Sequence, residues 1–399
     1  MTSRQAAYQP TVRAILSHDN IANRLGSPDT AKNQIILLII NDLLGMNWEV
    51  NVSKEMIKIA PPATYDKSVI RRVMSFGRDS IINKNRTWID AHIDVARKNL
   101  ADGTEALKSP ISPIIEVCKT PEQMALFRIF RYYWSSPYSD YVGRRIKLII
   151  RDSAVAGNPV IGIAALGSPI IHIPERDRYI GWEKHQRTNR INYMMDAYVI
   201  GALPPYNYLL GGKLISYLLA SKEIRDVFHE KYQLSRYNKL AGIFTTSLYG
   251  KSSQYNRLSF NGRLLYRPIG DTKGFGTLHI TDKTFNAMRQ FLADQGIIIS
   301  HRFGSGPSWR MRVIRTAATS LGFNSDELLR HSFKRKIYFI PLAKNSEDFL
   351  RGDARKLQYY RQSAKTLTCY WQKRWLHNRK KREEIITQVA NFKRESFEI

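Results

Sequence analysis

MMDAYVIGALPPYNYLLGGKLISYLLAS, residues 194–221, is the stretch from which the fold is read. DAYVIGAL is an apolar run of strand length, PPYNYLLGG is turn chemistry, and KLISYLL resumes with Leu214, Tyr217 and Leu218 at helical spacing. A strand that feeds a helix through a glycine-containing turn leaves backbone N–H groups at the positive end of the helix dipole, a seat for phosphate or pyrophosphate. Gly211 and Gly212 permit close approach there, with Tyr206, Asn207 and Lys213 beside them. A tight turn that needs glycine for steric reasons accounts for the same residues. Neither a GxxxxGK[ST] loop nor a GxGxxG fingerprint is present.

Upstream, the helical pattern PEQMALFRIFRYYWSS (121–136) precedes RRIKLIIRD (144–152), the turn AGNP and VIGIAALGS (160–168), two β-rich runs joined as a hairpin. Downstream, KLISYLLASKEIRDVFHEKY continues as helix, and AGIFTTSLYG, RLLYRPIG and GFGTLHI read as three further short strands. This succession of helix, three strands, glycine turn, helix and three strands resembles the GCN5-related acyltransferase fold, in which the turn after the fourth strand holds a coenzyme A pyrophosphate. The likeness implies acyl-coenzyme A as cofactor at Tyr206, Asn207, Gly211, Gly212 and Lys213. The family's Q/R-x-x-G-x-G/A pattern is not kept, since Tyr208 and Lys213 stand at two of its positions. For acyl transfer, Asp196 is the nearest carboxylate for a general base, and Tyr249 or Tyr255 could protonate a thiolate leaving group. The plainer account of these residues is structural, Asp196 as a strand-end cap and the two tyrosines as half-buried packing.

The flanks differ from this block. Residues 1–118 read as helical, with Asp29-Thr30 capping AKNQIILLIINDLLGMN and two more helices between Asp66 and Asn99. Prolines 110, 113 and 121 mark a boundary. Residues 282–399 read as helical and basic, with Gly296 and Gly322 as helix stops. The expected class is α+β: a helical region over 1–118, a mixed α/β acyltransferase-like sheet core over 119–281, and a basic helical nucleic-acid-binding region over 282–399.

Charge points to a polyanion. The 399 residues carry 62 Lys and Arg against 34 Asp and Glu, a formal net charge of +28. A basic surface gains affinity for nucleic acid by releasing its condensed counterions. Lys251, Arg257 and Lys273 alternate with hydroxyl, amide and aromatic side chains in YGKSSQYNRL (249–258) and IGDTKGFGTLHI (269–280). Arg310, Arg312 and Arg315 follow a Gly/Ser/Pro loop in GSGPSWRMRVIRTAATSLGF, and Lys334, Arg335 and Lys336 follow in HSFKRKIYF. WQKRWLHNRKKR (371–382) adds Lys373, Arg374, Arg379, Lys380, Lys381 and Arg382 with no acid.

Other chemistries find little support. Cys118 and Cys369 are the sole cysteines, which excludes a disulfide framework and a cysteine zinc finger and suits a reducing compartment. Histidines 172, 185, 229, 279, 301 and 331 are scattered singly, so no metal is expected. Acidic residues are too dispersed to argue a two-metal nuclease, and the sequence leaves open whether Asp140, Asp152, Asp177 and Asp196 converge in the fold. The longest apolar run, Ile35 to Ile40, is far below the ~20 residues that span a bilayer, and the N-terminal stretch lacks a signal core, so a cytoplasmic protein is expected.

RYYWSSPYSDYVGRRIKLII, IGIAALGSPI, RDRYIGW, MMDAYVIGALPPYNYLLGGKLISYLLAS, YGKSSQYNRL, IGDTKGFGTLHI, GPSWRMRVIR and LLRHSFKRKIY together resemble the Druantia anti-phage system protein DruA family, over about residues 125–352. The resemblance implies a component of a multigene antiviral defence island, with the large helicase-like DruE and, in some systems, DruB, DruC and DruD as partners. It implies no settled biochemical activity. Two readings stay open: a DNA-binding subunit without catalysis, and an acyltransferase-like enzyme acting on nucleic acid or protein.

Overall fold

The computed structural model describes residues 31–52, 57–136, 143–300 and 307–399. Asp29-Thr30, Asp140, His301 and the glycine-rich residues 304–306 lie outside the described residues. Two compact units divide the chain: the described parts of Met1–Gly77 with Lys273–Phe333, and of Arg78–Thr272 with Lys334–Ile399. These divisions fall at 77/78, 272/273 and 333/334.

The first unit is helical apart from an antiparallel pair, Glu49–Val52 with Ile57–Ala60. Its helices are Ala31–Leu44, Asp282–Asp294, Pro307–Ser320 and Ser325–Leu329, with the start of Lys67–Lys84. Thr281 ties distant segments together: its hydroxyl accepts from the Thr284 N–H as a helix cap, while its own N–H donates to Asp42 Oδ2 at 2.8 Å. GFGTLHI is not a strand here. His279 within it is buried, its ring stacked on Trp48 at 5.4 Å and its Nε2 2.6 Å from the Leu328 carbonyl. Burial pushes its pKa down to about 4, which keeps the ring neutral and apolar enough for this core.

The second unit is built on one seven-stranded mixed sheet. Its strands are β1 (Pro113–Val117), β2 (Arg145–Asp152), β3 (Val160–Gly167), β4 (Met194–Ala202), β5 (Gly242–Ser247), β6 (Arg267–Asp271) and β7 (Lys336–Pro341). In space they run β1-β2-β3-β4-β5-β7-β6. Every neighbouring pair is antiparallel except β4–β5. Two of these strands lay hidden in the sequence. β1 begins at Pro113, which an edge strand tolerates because its N–H side needs no partner. β7 begins on the last residue of the basic KRK run (334–336), which masked a strand as part of a helical region.

Both faces of the sheet are covered, so β3, VIGIAALG, is buried at all eight positions and shows no alternation. One face packs against Gly211–Leu218 and Ala364–Trp371, with Ile146, Leu148 and Met195 meeting Leu214, Ile215 and Trp371. The other meets Arg86–Lys98 and Pro121–Arg131 at Ile149, Ile163 and Val199. Beyond β4 that second face is closed by Ile180, Phe339 and Phe349 around Met194 and Phe244. Pro121–Arg131 starts in a capping box, Thr120 with Gln123, and Pro121 holds the first helical position.

Gly162 in β3 allows this packing. A Cβ there would lie 2.2 Å from the Gly201 carbonyl oxygen and 2.4 Å from Ile215 Cδ1. Gly162→Ala is therefore expected to destabilise the sheet unit by about 1–3 kcal/mol through overpacking, read as a lower denaturant midpoint at unchanged slope. An unchanged midpoint would show that strand and helix can move apart freely.

Candidate nucleic-acid interface at the central strand-turn-helix

β4 and β5 pair for three residues only, Met194–Asp196 with Gly242–Phe244. Past Asp196 they part, and β4 continues along β3 to Ala202 with a register shift opposite Ala165 and Leu166. The parting leaves β4 carbonyls facing a gap, and buried carbonyls need donors. The Thr245 hydroxyl donates to the Ala197 carbonyl at 2.8 Å, and the Gln254 carboxamide donates to the Ile200 carbonyl at 3.2 Å. Gln254 also bonds the Ser216 hydroxyl. The chain's own 248–258 loop thus occupies the opening.

The two glycines serve this closure. Gly211 N–H donates to the Tyr206 carbonyl at 2.9 Å, and a Cβ on Gly211 would stand 2.7 Å from that oxygen. At Gly212 the nearest atoms to a Cβ are those of the Gln254 carboxamide, at 3.2 Å. Of the other residues of the turn, Tyr206 donates its hydroxyl to buried Asp152 at 2.9 Å, which with burial raises its pKa. Asn207 bonds Tyr133, leaving Asn207 Oδ1 buried without a partner among the described residues. Lys213 points its ammonium at the Ser253 and Asn256 carbonyls, 2.5 and 3.3 Å away.

Asp196 is the last β4 residue paired with β5, and it is 7% exposed. Its Oδ2 accepts from the Ile170 N–H at 2.9 Å, while its Oδ1 has no partner among the described residues. Burial raises its pKa to about 6, against the pull of the backbone hydrogen bond and of buried Arg176. Arg176 itself holds the carbonyls of Ile170 and Ile171 and the Asp177 carboxylate. Strand alternation puts Asp196 on the face of Met194 and Phe244, whereas Tyr255 belongs to the cluster of Met195 and Ala197 on the other face. Tyr255 stacks on Tyr266 at 5.3 Å, and burial pushes its hydroxyl up to about 12. Tyr249 lies 3.2 Å from the Ser135 hydroxyl. The fold does not gather these three groups around one point.

The basic candidates sort by partner. Arg310 pairs with Asp282 at 2.9 Å and lies over the Phe285 ring, Arg312 bonds the Ser300 carbonyl, and Arg315 pairs with Asp326. Lys336 pairs with Asp271 at 2.7 Å. Arg379 and Lys380 bond the carbonyls of Tyr208 and Leu107. Arg335 is half-buried, and burial lowers its pKa. Lys251, Arg257, Lys273, Lys334, Lys373, Arg374, Lys381 and Arg382 are exposed. Sequence reading overlooked Thr245 and Gln254, although Gln254 sits inside YGKSSQYNRL, and it overlooked Trp375, which stands among the cations.

Among the described residues no three His, Cys, Asp or Glu side chains are placed to hold a metal ion, and no helix is long and apolar enough to cross a membrane. A family model, Druantia protein DruA, matches residues 65–352. A Druantia protein DruA of Escherichia coli (strain UMEA 4076-1) is 38% identical over 296 residues, 71% of this chain and 72% of its own length. No solved structure matches.

The Asp196 environment sets a pH dependence. Its folded pKa of about 6 lies above the ordinary 3.8, so between those values the folded state holds the extra proton and stability falls as pH rises. Asp196→Asn should match the parent near pH 4 and exceed it by up to about 3 kcal/mol at pH 7.5. Denaturation of both proteins at the two pH values checks this, and equal differences at both would refute it.

Proposed function

The chain belongs to the Druantia protein DruA family, a component of an anti-phage defence system, and we propose that its part there is to bind nucleic acid through the basic surface of its sheet unit. One observation carries the reading. From Ala354 to Arg382 the chain has ten Lys and Arg and no Asp or Glu, and none of the ten makes an ion pair among the described residues. A run of cations that only solvated a surface would be expected to find some of the nearby carboxylates. Tyr359, Tyr360, Tyr370, Trp371 and Trp375 are interleaved with them, which suits a backbone-tracking, base-stacking surface. DNA is the favoured partner, handed on to the helicase-like DruE and acting with DruB, DruC and DruD where those are present.

A second reading, acyl transfer on nucleic acid or protein, draws on the strand order and on the parted parallel pair, both of which suit an acyltransferase-like core. Gln254 and Thr245 weigh against it, because they take the hydrogen bonds that an acyl-coenzyme A arm would need along β4. The separation of Asp196 from Tyr255 by the sheet weighs against it again.

Binding to duplex DNA should weaken with salt at a slope of about −0.9 per neutralised phosphate. Replacing Lys365, Lys373, Lys381 and Arg382 with alanine should weaken binding for all sequences alike and reduce that slope by about one unit for each side chain that meets a phosphate. Undetectable binding at low salt, or salt-independent binding, would refute the reading. Deleting the gene from its operon should abolish protection against at least some phages, scored by plaque counts; undiminished protection would remove the protein from the essential machinery.

A further inference from the structure

We propose that Lys213, Arg257 and Arg374, gathered around the indole of Trp375, form a phosphate-ester subsite with an aromatic wall for the adjoining base. This deepens the nucleic-acid reading and rests on it. Three separate elements supply the cluster: Lys213 from the first turn of Gly211–Leu218, Arg257 from the loop after β5, and Arg374 with Trp375 from the π-helical segment Gln372–Leu376. The Lys213 ammonium lies 4.2 Å from the Trp375 ring centre, the Arg374 guanidinium 5.3 Å and the Arg257 guanidinium 6.0 Å.

The cluster is positioned without being neutralised. Lys213 is 7% exposed, and two backbone carbonyls take two of its three N–H groups. No carboxylate is among the groups that act on it. Burial, then Arg257, then Arg374 pull its pKa down to about 8. Guanidinium groups do not give up their charge, so the repulsion stays in the folded protein until an anion enters. Arg257 has φ of 59°, a left-handed conformation that an L side chain adopts at an energetic cost and that persists where the surroundings hold it. π-helical turns recur at functional sites, and this one carries both Arg374 and Trp375. The indole is oriented by its N–H, which meets the Tyr217 hydroxyl at 3.2 Å. Phosphate chemistry fits three donors of this kind, and the aromatic face fits the base beside it.

Such an ester can come from a nucleic-acid strand or from a free nucleotide. The test uses the full chain with Arg257→Gln and Arg374→Gln combined, titrated against a fluorescein-labelled single-stranded 15-mer and, by calorimetry, against adenosine diphosphate. The expected result is about tenfold weaker oligonucleotide binding, a salt slope smaller by about 1.4, corresponding to two phosphates on a single strand, and a denaturation midpoint equal to or above the parent's, since repulsion is relieved. Oligonucleotide binding with unchanged affinity and slope would overturn the subsite while leaving the nucleic-acid reading in place. Adenosine diphosphate bound by the parent and lost in the variant, with no oligonucleotide binding by either, would uphold the subsite's chemistry and overturn its assignment to a strand. A lowered midpoint would mark the two arginines as structural ties and overturn the proposal, as would failure of the parent to bind either probe.

Discussion

The three-residue contact between β4 and β5 is the constraint on which the sheet unit turns. A parallel pair that parts leaves one strand edge unpaired inside the protein, and an unpaired buried carbonyl costs roughly a hydrogen bond's worth of free energy. The fold answers with side chains, Thr245 and Gln254, instead of a third strand. A side chain at residue 212 would press on the Gln254 carboxamide, and a Cβ at residue 211 would clash with the Tyr206 carbonyl that closes the turn before it. Lys213 then anchors the same loop through two carbonyls. One parting of strands therefore dictates the glycine pair, the loop and the position of the buried ammonium.

The sheet unit is also continuous across a long insertion. β6 ends at Asp271 and its neighbour β7 begins at Lys336, yet the two residues are paired. Thr272 and Arg335 clamp the neck: the Thr272 N–H donates to the Arg335 carbonyl at 2.9 Å, and the Arg335 N–H donates to the Thr272 hydroxyl at 3.0 Å. Residues 273–333 can thus leave and return without opening the sheet. The C-terminal segment belongs to this unit as well, since Arg394 pairs with Glu105 at 2.7 Å and Ala364–Trp371 covers one sheet face.

Charge excess alone does not identify an interface. Arg310 and Arg315 each have a carboxylate partner, and Arg379 and Lys380 hold backbone carbonyls. Such groups are partly spent on the fold, and removing them disturbs structure as well as charge. The cations between Ala354 and Arg382 that make neither an ion pair nor a carbonyl bond, with Arg257 beside Trp375, carry the charge still free to meet a polyanion, while Lys213 offers the one N–H that its two carbonyls leave.

The sequence by itself determined the membership of the family, the net charge, the strand-turn-helix at 194–221 and most helices, because apolar period, glycine stops and capping residues are local signals. It did not determine β1 and β7, where a proline and a basic run obscure the strand pattern, nor the antiparallel pairing of Glu49–Val52 with Ile57–Ala60 within a region that otherwise reads as helical. The roles of side chains at the candidate site were decided only by tertiary structure. Gln254 and Ile200 are far apart in sequence, and so are Lys213, Arg257 and Arg374. Whether Asp196 faces Arg176 or Tyr255 depends on which side of the sheet its residue number falls, counted from a pairing that no local pattern records. Hydrogen bonds and like-charge clusters arise from approach in space, and that approach is fixed here by where two parallel strands stop pairing.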